Sequence, residues 1–114
     1  MAYFWNKLEN TEQLETIKQE SVHLPVLIFK HSTRCSISDA ALSRIERQWH
    51  ESYFERMKLF YLDLIAFRPV SNAVAQLFGI EHQSPQVLLI KDGKCVYHAS
   101  HFDIQMEDIL SHLN

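Results

Sequence analysis

The chain has 114 residues and a mass of 13.4 kDa; 46% of it is hydrophobic, 22% is charged, and the net charge is −3. That balance fits one globular domain over residues 1–114 and excludes disorder. The mild acidity excludes the basic footprint of a nucleic-acid binder, and no apolar run approaches the ~18 residues of a membrane span.

Met1 to Lys7 lacks the basic start and long apolar run of a secretory signal, so the expected setting is a cytoplasmic monomer. Thr11 to Gln19 reads as a helix capped by Asn10 or Thr11, with Leu14, Ile17 and Ser21 on one side. Pro25 to Phe29 is a continuous apolar run of strand length, as expected of a strand covered on both faces. The polar turn His31-Ser32-Thr33-Arg34 then leads to Cys35. From Cys35 to Arg56 the spacing of Leu42, Ile45 and Trp49 predicts one long helix, with Arg44, Glu46, Arg47 and Glu51 outside. Within it, Arg47–Glu51 and Glu51–Glu55 would be i,i+4 pairs of little value.

Lys58 to Leu64 reads as the next strand. Pro69 opens a helix carrying Val70, Ala73, Val74, Leu77 and Phe78, which Gly79 ends. After Ser84-Pro85, Val87 to Ile90 is an apolar strand, and Asp92-Gly93 signals a tight hairpin to Lys94–Ala99. Asp103 is expected to cap a closing helix presenting Ile104, Ile109, Leu110 and Leu113. The strand–helix–strand unit demands a parallel pair and the hairpin an antiparallel one. The expected fold is therefore α/β, a thioredoxin-like three-layer sandwich with a mixed sheet of about four strands.

Cys35 stands where a buried strand meets a helix, so unpaired N–H groups and the helix dipole favour a thiolate. Arg34 adds a neighbouring positive charge. Ser38 occupies the place of a second cysteine, which makes Cys35-Ser36-Ile37-Ser38 a monothiol version of C-x-x-C. A serine hydroxyl can donate to a thiolate but cannot resolve a mixed disulfide. On residues alone, Cys35 could equally be a small capping residue. Pro85, before a strand and about fifty residues after Cys35, is where a thioredoxin-like protein holds a cis bond facing its thiol. There the Ser84-Pro85-Gln86 backbone would pair with a substrate chain. A trans, strand-edge proline is the alternative.

The sequence resembles the YtxJ-like, bacilliredoxin-C-type thioredoxin-fold proteins of the bacillithiol system along nearly its whole length. The resemblance rests on Cys35-Ser36-Ile37-Ser38, Arg68-Pro69-Val70-Ser71-Asn72, His82-Gln83-Ser84-Pro85-Gln86 and Ala99-Ser100-His101. The family pentapeptide is T-C-P-I-S; this chain has Arg34 for the threonine and Ser36 for the proline. Ordinary thioredoxins also carry a buried acid six residues before the nucleophile, where this chain has Phe29. The resemblance implies that Cys35 takes bacillithiol from mixed disulfides on proteins, supported by Arg34, Ser36 and Ser38. The implied partners are bacillithiolated proteins, bacillithiol as thiol co-substrate and a disulfide reductase, with no cofactor. A non-catalytic thioredoxin-like module that only holds a partner strand is the alternative function.

Cys95, on the last strand, reads as a packed apolar group remote from Cys35. His31-x-x-x-Cys35 and His98-x-x-His101 have ligand-like gaps, but no second Cys/His pair reinforces them and no metal is expected. His101 is expected to hold backbone groups ahead of the last helix, and Asp63 to serve as a turn acceptor. Trp49, Tyr53 and Phe54 read as packing on the long helix.

Overall fold

The computed structural model describes residues 5–113; residues 1–4, part of the start expected to lack a signal, and Asn114 lie outside it. Five strands form one sheet in the order β1-β3-β2-β4-β5, where β1 is Asn6–Lys7, β2 Val26–His31, β3 Lys58–Asp63, β4 Gln86–Lys91 and β5 Lys94–Ser100. The β1, β3 and β2 strands run parallel, and β4 and β5 are antiparallel to their neighbours.

Strand alternation sorts the side chains into two cores. Leu27, Phe29, Leu59, Val87 and Leu89 meet helix α2 (Ser36–Gln48) through Ala41 and Ile45, and helix α4 (Met106–Ser111) through Met106 and Ile109. Val26, Ile28, Phe60, Leu62, Leu88 and Ile90 meet helix α1 (Glu12–Glu20) through Leu14 and Ile17, and helix α3 (Arg68–Phe78) through Val70 and Val74. This is the expected three-layer sandwich, with Phe29 packed in its core against Trp5 at 5.7 Å. Among the described residues no helix is long and apolar enough to cross a membrane.

Three local expectations are corrected. The fifth strand, β1, escapes periodicity because it is two exposed residues held by pairing to Phe60 and Tyr61. The long helix stops at Gln48, because Trp49 turns extended (ψ 136°) and His50 Nδ1 accepts the Ser52 N–H at 3.1 Å. A 3-10 turn, Glu51–Glu55, follows, and Tyr53 and Phe54 pack edge-on against Trp49 there. Residues 51 and 55 thus lie outside the helix, so neither expected i,i+4 pair exists. Asp103 belongs to a 3-10 turn, His101–Asp103, and Gln105 precedes the first residue of α4. Leu77 is 41% exposed, on the outer side of α3.

Other punctuation acts as expected. Gly79 ends α3 in the left-handed region (φ 67°), and Asp92 and Gly93 both take positive φ, 53° and 76°, in the hairpin. Ser21, wholly buried at the end of α1, accepts the Gly93 N–H at 2.8 Å and ties that hairpin to the helix.

Candidate active site at one edge of the sheet

The C-terminal ends of β2 and β3 and the N-terminal end of β4 share one edge of the sheet. Cys35 leaves that edge in extended conformation (φ −121°, ψ 119°) as the residue that caps α2. Its thiol is free and half-buried. Its N–H donates to the Ser32 carbonyl at 3.3 Å, and its own carbonyl accepts the Asp39 N–H at 3.1 Å. Cys35 is the N-cap residue of α2, and no side chain, its own sulfur included, accepts a hydrogen bond from the first turn. Arg34 and Ser36 flank it, both exposed. Arg34 makes no ion pair among the described residues.

Ser38 is wholly buried and points elsewhere. Its hydroxyl accepts the Ser32 N–H at 3.0 Å and lies 2.6 Å from His31 Nδ1. His31 Nε2 is 3.4 Å from Asp39 Oδ1. A carboxylate only accepts, so Nε2 carries the ring proton, Nδ1 accepts, and the Ser38 proton goes to His31. The expected bond from Ser38 to sulfur is therefore replaced by one that fixes the turn delivering Cys35. Burial pushes the His31 pKa down, against the opposing pull of Asp39, Asp63 and Glu46, which agrees with a neutral ring. His31 had one legible signal as a site residue: it continues the alternation of Leu27 and Phe29 on one sheet face.

Across the edge, Ser84-Pro85 is cis and Pro85 is buried. Lys30 pairs with Gln86, so the same register carries Pro85 opposite His31. The Pro85 carbonyl accepts the His101 N–H at 3.1 Å, while Ser84, half-buried, lies just outside the ladder. Gln86 turns into its own loop: its amide donates to the Glu81 carbonyl at 3.0 Å and accepts the Gln83 N–H at 3.4 Å. The Gln86 side chain is thus occupied in shaping the segment before Pro85.

Lys30, opposite Gln86, escapes the sequence reading, although a lysine after four apolar residues marks a buried cation. It is wholly buried; Nζ donates to the Ser71 carbonyl at 3.1 Å and to His82 Nδ1 at 3.2 Å. Burial lowers its pKa from 10.5 to about 8. The Ser71 hydroxyl lies 3.3 Å from the same His82 nitrogen. Two of the motifs behind the family resemblance, around Arg68-Pro69 and His82-Gln83, thus meet at one buried amine.

Cys95 pairs with Ile90, and Ile90 with Val26, at the opposite end of β2 from Cys35. The five residue steps from Val26 to His31 alone span ~16 Å, far beyond the ~7 Å Cα separation a disulfide tolerates. The Cys95 thiol donates to the Tyr97 carbonyl at 3.3 Å, and burial raises its pKa. Asp63 accepts the N–H groups of Ile65 and Ala66, both at 3.1 Å, as a turn acceptor. His101 holds the approach to α4 with its backbone: its carbonyl accepts from Ile104 and from the Arg44 guanidinium. Among the described residues no three His, Cys, Asp or Glu side chains converge as a metal set.

A family model described as monothiol bacilliredoxin BrxC matches residues 6–109. A solved structure described as a candidate oxidoreductase with a thioredoxin fold is 26% identical, with a TM-score of 0.82 over 97% of this chain and 95% of that one. Thioredoxin of Malassezia sympodialis is 14% identical, with a TM-score of 0.76 over 96% of this chain and 91% of that one. Fasciola hepatica thioredoxin is 17% identical, with a TM-score of 0.71 over 94% of this chain and 98% of that one. The two thioredoxins speak for the fold alone.

Proposed function

We propose that this chain, which belongs to the monothiol bacilliredoxin family BrxC and is a thiol oxidoreductase, removes bacillithiol from mixed disulfides on proteins. The observation that carries this reading is Cys35 itself: half-buried, capping α2, with a buried serine where a resolving thiol would stand. The Cys35 thiolate attacks the bacillithiol sulfur; the protein thiolate leaves and Cys35 keeps the small thiol as a mixed disulfide. A second bacillithiol thiolate then attacks that adduct, releasing bacillithiol disulfide and restoring Cys35. Electrons balance without a cofactor, since each step exchanges one disulfide for another: the mixed disulfide and one bacillithiol thiol become a protein thiol and bacillithiol disulfide. A disulfide reductase would return that product to the pool.

The uncapped N–H groups of the first α2 turn support the thiolate, as they would a capping oxygen. Exposed Arg34 adds positive charge for an anionic small thiol, and Ser36 leaves the first helical N–H in place that a proline would remove. Ser38 acts through His31 and Ser32 to hold the turn. Ser84 and Pro85 offer the backbone edge against which a substrate chain can lie. We place the reaction in the cytoplasm, with the protein working as a monomer.

The test offers a bacillithiolated protein to wild type, Cys35→Ala and Cys95→Ala, and follows bacillithiol release together with the mass of the enzyme. Wild type and Cys95→Ala are expected to release the thiol through a Cys35 adduct, and Cys35→Ala to release none. Release by Cys35→Ala at the wild-type rate would overturn the assignment. Binding of the modified protein by wild type without any adduct would favour the non-catalytic module.

A further inference from the structure

Disulfide exchange at Cys35 leaves the buried amine of Lys30 without a task. Lys30 has no carboxylate within ion-pairing distance among the described residues, and neither has Arg68. An ammonium only donates, so His82 Nδ1 accepts and the ring proton sits on Nε2, the ring edge turned away from Lys30 and Ser71. His82 is half-buried, and no hydrogen bond to its Nε2 is found among the described residues. Arg68 stands three residues before Ser71 on α3, hence on the same helix face, and is exposed. Burial first, and then the positive charges of Lys30 and Arg68, push the His82 pKa down. Glu81, the adjoining acid, is exposed and pairs with none of the three. Lys30 and His82 are thus in contact, Arg68 stands on the helix face that carries Ser71, and none of the three has an ion-paired acid among the described residues, in a protein of net charge −3 with His82 three residues ahead of Pro85.

We propose that Arg68 and the His82 Nε2–H, with Lys30 behind them as a positioning residue, form a subsite for a carboxylate of the small thiol carried by the mixed disulfide. The identity of that thiol rests on the exchange reaction proposed above; the anion subsite rests on the cluster. Lys30 holds the His82 tautomer, so the ring presents a donor, and the guanidinium supplies the charge that a carboxylate pairs with.

Two measurements test this. First, malate, the dicarboxylate part of bacillithiol, is titrated into the full chain while the His82 ring and Arg68 Nε signals are followed by NMR, with dimethyl malate as the uncharged control. Malate is expected to shift both signals, the ester neither, and Arg68→Gln and His82→Gln to weaken the response. No shift with malate, or equal shifts with both probes, overturns the subsite. Second, release rates are compared for one protein modified with bacillithiol or with 2-mercaptoethanol. The anionic-to-neutral rate ratio is expected to fall about tenfold in Arg68→Gln and His82→Gln, the loss of one charge-assisted hydrogen bond. An unchanged ratio overturns the proposal. If wild type exchanges neither disulfide while malate still shifts both signals, the exchange reading fails and the anion subsite stands.

Discussion

Lys30 and His31 are sequence neighbours that point to opposite faces of β2, and each supports a different part of the site. His31 works as a neutral ring, receiving the Ser38 proton and donating to Asp39. Lys30 works as a cation, and burial makes that costly: its pKa falls from 10.5 to about 8. The unfolded chain keeps the lysine proton between those values while the folded chain gives it up. Stability therefore rises with pH across that window, and the penalty is complete below pH 8. Lys30→Met removes the penalty, on the order of 3 kcal/mol, along with two hydrogen bonds of about 1 kcal/mol each. The variant is expected to be about 1 kcal/mol more stable at pH 7, with its advantage gone by about pH 9 and reversed toward pH 10. Urea unfolding at pH 7 and pH 10 checks this; a variant less stable at pH 7 would show the ammonium to be well solvated by its partners.

At the scale of elements, the chain is stitched by short polar contacts that hydrophobic pattern does not reveal. Ser21, the buried residue that follows α1, donates to the Lys18 carbonyl at 2.7 Å and accepts the Gly93 N–H, while its carbonyl accepts the Asp92 N–H. One serine thus fixes where the β4–β5 hairpin sits relative to α1. Ser21→Ala leaves the Gly93 N–H without its acceptor and is expected to cost about 1–2 kcal/mol in urea unfolding. A loss within error of zero would mean that water replaces the hydroxyl. The early end of α2 has the same local origin. Leu42, Ile45 and Trp49 do share a helical spacing, yet His50 and Ser52 satisfy each other and Trp49 turns to pack with Tyr53 and Phe54. Spacing could not distinguish that aromatic cluster from a continued helix.

For the whole molecule, the decisive fact is that the two thiols lie at opposite ends of the sheet. Cys35 follows the C-terminal end of β2, and Cys95 is two strands away at the level of Val26. Mild oxidation of the folded protein with diamide is therefore expected to give no Cys35–Cys95 disulfide. Peptide mapping under non-reducing conditions checks this; a linked pair of cysteine peptides in a protein that keeps its native circular dichroism would contradict the strand register.

The sequence alone determined the layer order, the parallel strand–helix–strand unit, the hairpin and the placement of Cys35 and Pro85 at element junctions. Each follows from local signals: apolar runs, helical spacing, Asp92-Gly93, and two glycines and three prolines in 114 residues. Tertiary structure alone decided what the polar residues at the site do. Ser38 could donate to sulfur or to a buried neighbour, and only the fold of His31 over α2 assigns its proton. Lys30, Ser71 and His82 are separated by up to 52 residues and touch only because β2, α3 and the loop before β4 converge on one sheet face. β1 lacks any pattern of its own and exists because β3 offers it an open edge. Hydrophobic periodicity reports which face a residue takes, whereas hydrogen bonding depends on which atoms the chain brings within about 3 Å, a distance no linear pattern encodes.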